Sequence, residues 1–162
     1  MKIMERVADY PRPPRLERDP RRVRVILAGV TLVDTRECWR VLETTHPPSF
    51  YIPTAAFPPG ALTPSNRGSV CEWKGAAEYF SITVPGTAPG TAPTARDAAW
   101  GYPHPTPAVL PIRDHVALYA GKMDACFVDD ERVTPQEGGF YGGWITSELI
   151  GPFKGAPGTN FW

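Results

Sequence analysis

The sequence predicts a mostly β protein that forms one domain, and three observations support this prediction. The 162 residues include 20 prolines and 15 glycines. Proline is disfavoured inside helices and central strands, and glycine favours turns. Short runs rich in β-branched and aromatic residues alternate with these breakers, as strands do. A chain of this length also suits a single domain whose core needs no disulfide support.

The charge balance and the cysteines indicate the cellular setting. Seventeen basic and seventeen acidic residues cancel, so a groove for nucleic acid has little electrostatic support. The three cysteines are well separated and form no Cys-x-x-Cys pair, which fits reduced thiols. No apolar run approaches membrane-spanning length. We therefore expect a cytoplasmic protein with neither a nucleic-acid nor a membrane partner.

Residues 1–22 are rich in proline and arginine and are predicted to form an extended, solvated arm, with a dedicated binding motif as the alternative. A single β domain is predicted over residues 23–162. It opens with two β-rich runs within residues 23–34, joined at Ala28-Gly29 as a hairpin. Short strands at residues 39–43 and 50–53 follow, and a loop rich in proline is expected before the next strand.

The longest strand-like run covers residues 71–84, and the chain is organised around it. From Ala77 onward its residues alternate, which predicts one apolar face; that face carries Glu78, Phe80, Ile82 and Val84. Gly75 permits a bend at the entrance of the strand, so Trp73 and Lys74 can turn across the sheet. A lysine held beside an indole in this way is a candidate contact for an anion or another polar ligand.

Two further features of the second half bear on the architecture. Gly-Thr-Ala-Pro occurs twice in tandem, which predicts a mobile loop at residues 85–97. Residues 115–121 and 123–128 are predicted to form a second hairpin with its own Ala-Gly corner. Each Ala-Gly corner precedes an aromatic-Lys-Gly triplet, Trp73-Lys74-Gly75 or Phe153-Lys154-Gly155. This pattern suggests an internal duplication of two β units; chance similarity in a glycine-rich chain is the alternative.

Three ordered motifs resemble those of the family catalogued as domain of unknown function 427. They are Glu43-x-x-x-Pro47-Pro48-x-x-Tyr51-Ile52-Pro53, Cys71-x-Trp73-Lys74-Gly75-x-x-x-Tyr79 and Ala99-Trp100-x-Tyr102-Pro103-x-Pro105. The resemblance runs from about Val23 to about Asp129. Residues 141–145 and 153–155 look like an extension that some members carry. The resemblance implies a compact, strongly bent antiparallel structure similar to the β-tent domains.

Some β-tent relatives hold a structural zinc between two Cys-x-x-Cys knuckles, which this chain lacks. We therefore expect no metal and no other cofactor, with the reservation that Cys71, Cys126 and a histidine could converge in space. The family also carries a nucleotidyltransferase-like label. That chemistry generally needs paired carboxylates that hold magnesium. The close carboxylates at residues 129–131 are predicted to lie in a solvated turn instead.

Six residues are the candidates for a ligand site, and each also has a purely structural interpretation. Glu43 could be an ordinary surface carboxylate, and Lys74 could extend from a sheet rim into solvent. Cys71 could be a thiolate activated by Lys74 or simply a small buried side chain. The aromatic candidates could line a pocket or fill the core. The full set is Glu43, Tyr51, Cys71, Lys74, Trp100 and Tyr102.

These candidates support three functional hypotheses. The first is a module that binds a small molecule, such as a nucleotide or another polar metabolite, in a pocket around Lys74 and Trp100. The second is an enzyme that uses Lys74, Glu43 or Cys71 in the same cleft. The third is an interaction domain that contacts another chain through the N-terminal arm and the aromatic loops. No residue can be assigned a catalytic role from spacing alone.

Overall fold

The computed structural model describes residues 3–71, 73–138, 140–159 and 162. Within these residues the regular structure consists of short strands and four single-turn or two-turn 3-10 helices, as the many prolines predict. The strands are β1 (Glu5–Arg6), β2 (Arg15–Asp19), β3 (Val23–Leu27), β4 (Val30–Thr35), β5 (Cys38–Leu42), β6 (Ser49–Pro53), β7 (Leu62–Cys71), β8 (Gly75–Ile82), β9 (Ala95–Gly101), β10 (His115–Leu118), β11 (Ala125–Val128), β12 (Glu131–Arg132), β13 (Thr134–Pro135), β14 (Trp144–Ile145) and β15 (Leu149–Ile150). The 3-10 helices are Val7–Asp9, Thr54–Ala56, Pro107–Ile112 and Ala120–Lys122.

The strands form two larger sheets and two small ones. A seven-stranded sheet has the order β2-β5-β6-β10-β9-β8-β7, and a four-stranded sheet has the order β12-β11-β3-β4. The pairs β13-β14 and β1-β15 are the small sheets, and β1-β15 is the parallel one. The other pairs are antiparallel. The prediction of a mostly β, single compact domain built from antiparallel sheets is confirmed.

The hairpin predicted at Ala28-Gly29 is confirmed. Strands β3 and β4 pair in antiparallel register with Leu27 opposite Val30. Both central residues have positive φ, 50° at Ala28 and 73° at Gly29. A two-residue turn of this kind twists in the same sense as the strands it joins, which is why it is favoured in hairpins.

The core lies on both faces of the seven-stranded sheet. One face packs against the four-stranded sheet through a large aliphatic cluster that contains Phe50, Ile52 and Ile82. The opposite face carries a second cluster, which contains Tyr51 and Tyr79. The prediction that β8 has a single apolar face was therefore wrong. Neighbouring residues of β8 point to opposite sides of the sheet, and both sides are covered.

The predicted solvated arm is part of the domain. Residues 15–19 form edge strand β2, which pairs with β5 over five residues, and Val7 and Tyr10 are buried. The charges of this segment are neutralised by partners that are distant in sequence, such as Arg40 with Glu5 at 2.9 Å and Arg21 with Glu148 at 2.6 Å. Composition alone predicted solvation because it does not reveal these partners.

The predicted second hairpin and the internal duplication were wrong. Strand β10 pairs with β6 and β9, whereas β11 pairs with β3 and β12 in the other large sheet. Ala120 and Gly121 lie in a 3-10 turn that carries the chain from one sheet to the other. A strand pattern does not reveal which sheet a strand will join.

Two loop boundaries also differ from the prediction. The loop was expected to extend to Gly68, but residues 62–68 belong to strand β7 at the edge of the large sheet, where Pro64 is tolerated at a register shift. The connection between β8 and β9 covers residues 83–94, because β9 begins at Ala95. Glu72, inside the predicted central run, lies outside the described residues.

The three cysteines are free, and they differ in environment. Cys38 and Cys126 are buried in the core. Burial raises the pKa of each of these two core cysteines to about 12, so they remain thiols at neutral pH. Cys71 is only half-buried. None of the helices that the structure describes is long and apolar enough to span a membrane.

Candidate functional site

All six candidate residues line one cavity of about 300 Å³. The cavity lies on the face of the seven-stranded sheet opposite the four-stranded sheet, next to the second core cluster. The structure thus brings together Glu43, Tyr51, Cys71, Lys74, Trp100 and Tyr102. Their chain segments are separated in sequence by up to about sixty residues, so only the sheet pairing makes them neighbours.

The aromatic wall of the cavity follows from strand register. Tyr79 of β8 pairs with Trp100 of β9, and Trp100 pairs with Ala117 of β10. Residues that pair across adjacent strands point to the same face of a sheet. The small Ala117 leaves space beside the indole, which lies 4.7 Å from the Tyr119 ring centroid. The phenol ring of Tyr51 is 6.4 Å from that of Tyr102 and extends the wall.

Lys74 is held at the cavity by a tight turn between β7 and β8. Gly75 has φ 111°, and a Cβ there would lie 3.1 Å from the backbone oxygen of His104; this position therefore requires glycine. The backbone N–H of Thr106 donates to the Lys74 carbonyl at 3.1 Å. The Nζ atom of Lys74 is 5.6 Å from the Tyr102 ring centroid and 5.7 Å from that of Trp73. The bend predicted at Gly75 is present, and the half-buried amine contacts the cavity wall.

Five described residues within 136–155 form another part of the wall, which sequence reasoning missed: Gln136, Phe140, Tyr141, Gly142 and Lys154. Gly142 lies against the Trp100 indole, so closely that a Cβ there would be 2.8 Å from Cζ3 and 3.0 Å from Cζ2. Lys154 also lines the cavity, and its Nζ is 5.5 Å from the Tyr141 ring centroid. The same Nζ donates to the main-chain oxygen of Trp162 at 3.3 Å. The available sequence signals were residues 141–145 and 153–155, which resembled a family extension, and the aromatic-Lys-Gly triplet at residues 153–155, which suggested a duplication.

Gln136 fastens this wall to the rest of the domain. Its side chain is buried, and its Oε1 accepts from the Gly143 N–H at 3.0 Å. Its Nε2 donates to the Lys154 carbonyl at 2.7 Å and contacts Nδ1 of His46 at 3.2 Å. Because the amide oxygen is committed to an N–H donor, the amide nitrogen is the donor toward His46.

His46 is consequently neutral, with its proton on Nε2. Burial lowers the pKa of His46, and the positive charges of Lys154 and Lys74 lower it further against the opposing effect of Glu43. Its Nε2 lies 3.9 Å from the Glu43 carboxylate. Since Nδ1 already accepts from Gln136, this imidazole has no free basic nitrogen directed at the cavity.

The phenols of the wall are also neutral. Burial raises the pKa of Tyr51 and of Tyr102 far above the ordinary phenol range. Among the described lining residues, the charged groups are thus Lys74, Lys154 and Glu43. Such a surface can hold a polar ligand by charge and hydrogen bonding while the rings contact its apolar part.

Among the described residues, no group of three His, Cys, Asp or Glu side chains could hold a metal ion. Cys126 packs in the first core cluster and Cys71 beside the second, on opposite faces of the sheet. The arrangement considered above, in which Cys71 and Cys126 would converge with a histidine on one metal ion, is therefore not present.

Comparison with known proteins identifies a family. A family model described as a domain of unknown function, DUF427, matches residues 15–129, whereas a search of curated proteins finds no match. The matched span includes all six candidate residues. Gln136, Tyr141 and Lys154 lie beyond it. Since the match covers most of the chain and agrees with the three sequence motifs, the chain belongs to the DUF427 family.

Proposed function

We propose that this protein binds a small polar metabolite in the cavity between the Lys74 turn and residues 136–155. The observation that supports the proposal is the convergence of half-buried charges on an aromatic wall within one concavity of about 300 Å³. That volume is at the lower end of the range for small-molecule sites. Lys74 and Glu43 would make the polar contacts, while Trp100 and Tyr102 would contact the body of the ligand.

Binding fits this geometry better than catalysis does. General acid–base and nucleophilic catalysis both need a reactive group paired with a second group that activates it. Among the described lining residues, Glu43 lies 3.9 Å from His46, whose other imidazole nitrogen is occupied by Gln136. The Ser69 and Tyr79 hydroxyls lie 3.3 Å apart, but this pair contains no imidazole, carboxylate or amine that could act as a base. An enzyme that uses Lys74, Glu43 or Cys71 is the alternative proposal. It predicts that a bound ligand is converted into a product.

A cytoplasmic location is also part of the proposal. It is supported by the free state of all three thiols, since secreted proteins of this size commonly pair their cysteines.

Cys71 provides a local reporter for the binding experiment. It lines the cavity and is half-buried, so a ligand in the cavity should slow its modification by a thiol reagent such as iodoacetamide. A library of polar metabolites, nucleotides included, would be screened by thermal shift, because a ligand that binds the native state raises the melting temperature. Each hit would then be tested for protection of Cys71 in the native protein.

We expect at least one hit to protect Cys71, and Lys74→Met to weaken its binding by about tenfold, the loss of one charge-assisted contact. Arg36→Met is the matched control, because it removes one exposed positive charge that does not line the cavity. The proposal is rejected if no hit protects Cys71, or if every hit binds equally well to the Lys74→Met protein.

A further inference from the structure

We propose that the ligand of this cavity is an anion with a planar, ring-containing body, and that Lys74 and Lys154 hold its anionic group from two sides. This inference rests on the proposed binding function and deepens it by naming the ligand class. It also assigns a role to Lys154, which lies outside the span matched by the family model.

The charge of the cavity favours an anion. Among the described lining residues, Lys74 and Lys154 are the cations and Glu43 is the one carboxylate. A third cation lies just outside the lining, since the Arg67 guanidinium is 4.5 Å from the ring centroid of Tyr79. Lysines therefore outnumber carboxylates among the described lining residues, which favours anions over cations.

Both lysine ammonium groups have N–H donors that are available to a ligand. In the described part of the chain, Lys74 Nζ has ring contacts but neither a hydrogen bond nor an ion pair. Lys154 Nζ makes one bond, to the main-chain oxygen of Trp162, and an ammonium group has three N–H donors. Both amines lie close enough to His46 to lower its pKa, so their fields overlap in the same space.

The amines are kept near the cavity by their surroundings. Each lies beside an aromatic ring, Lys74 beside Tyr102 and Lys154 beside Tyr141, at 5.6 and 5.5 Å. Each lysine is followed by a glycine with positive φ, 111° at Gly75 and 124° at Gly155. These glycines adopt a conformation that side chains disfavour. The two aromatic-Lys-Gly triplets thus share a positive-φ glycine, and the lysine of each lines the same cavity.

The aromatic side chains of the cavity wall favour a ligand whose body is flat and apolar. Trp100, Tyr51, Tyr102 and Tyr119 all present rings to the cavity, and aromatic rings favour offset or edge contacts with other rings. A purely cationic ligand could also use such rings, but it would have to approach two ammonium groups. Glu43 can accept a hydrogen bond from a donor on the ligand.

Four probes of similar size test whether the cavity prefers an anionic, a neutral or a cationic ligand. Phenyl phosphate and benzoate are the anionic probes, benzyl alcohol is the neutral probe and benzylamine the cationic one. Ligand-observed NMR titration would give each affinity for the full-length protein, and protection of Cys71 would report whether the probe occupies the cavity. The variants are Lys74→Met, Lys154→Met and the control Arg36→Met.

We expect at least one anionic probe to bind about tenfold or more tightly than benzyl alcohol, and each lysine substitution to remove about tenfold of that affinity. Arg36→Met should bind like the unmodified protein. The affinity of the anionic probe should fall with added salt whereas that of benzyl alcohol should not, which tests the inference without any variant. The ratio between phenyl phosphate and benzoate then identifies the preferred anion.

Two results would overturn the inference while leaving the proposed binding function intact. One is equal, Cys71-protecting binding of benzyl alcohol and the anions; the other is unchanged anion affinity in Lys154→Met. If neither the probes nor any metabolite protects Cys71, both the inference and the proposed function fail.

Discussion

Replacement of Gly142 by alanine tests the contact that closes the cavity. The new Cβ would overlap Cη2 of Trp100 and would lie 2.8 Å from Cζ3 and 3.0 Å from Cζ2. The Trp100 indole has little room to move away from the new Cβ, because its ring centroid lies 4.7 Å from the ring centroid of Tyr119. Overpacking of this kind costs about 1–3 kcal/mol. For a protein of this size we expect a melting temperature about 2–12 °C lower, measured by thermal denaturation followed by circular dichroism.

Gly121→Ala is the matched control for this substitution. Its Cβ would lie 3.6 Å from Pro135, an ordinary contact, and neither glycine has the positive φ that disfavours alanine. The two variants therefore gain the same reduction of unfolded-state entropy, worth about 0.4–1 kcal/mol of stability, and differ in the clash alone. The packing argument would be refuted if Gly142→Ala melted at the temperature of Gly121→Ala. The displaced wall should also expose Cys71, which would then react faster with iodoacetamide.

Two further outcomes follow from the burial and charge of particular groups. Iodoacetamide should modify Cys71 in the native protein and spare the two core cysteines until it unfolds, which mass spectrometry of the peptides would show; simultaneous labelling of all three would contradict the assigned burial. Burial alone would raise the pKa of Glu148, but its hydrogen bonds, including one from Arg21, outweigh this effect and lower the pKa below the ordinary 4.5. Stability that Glu148 contributes is therefore present above pH 4.5 and lost as the pH falls below that value. Glu148→Gln should lower the free energy of unfolding at pH 7, measured by urea titration, by about 1.5–3 kcal/mol. It should also reduce the loss of stability between pH 7 and acidic pH. The control Glu37→Gln, which changes an exposed carboxylate, should show neither effect.

Several parts of the fold and site were readable from local sequence pattern. Short alternating runs between prolines and glycines predicted strands, and Ala28-Gly29 predicted a hairpin, because backbone preference acts over neighbouring residues. The cavity residues near Lys74 and Trp100 were predicted because aromatic and charged side chains clustered within short motifs. The wall at residues 136–155 has no such periodic pattern, so its contact with Trp100 was not predictable.

The errors share one physical cause. The hairpin predicted for residues 115–128 failed because strand pattern does not specify a partner, and β10 and β11 join different sheets. The N-terminal segment appeared solvated because its charges find partners such as Glu148 more than a hundred residues away.

The sequence by itself determined that this is a β protein of one domain and that Gly75 permits the turn carrying Lys74. It also determined which residue types were available to a polar, aromatic site. Only the tertiary structure decided that Lys154 faces the same cavity as Lys74, that Gln136 fixes the proton of His46, and that Gly142 covers Trp100. Local preference depends on adjacent residues, whereas sheet order and side-chain contact depend on the free energy of packing segments that are distant along the chain.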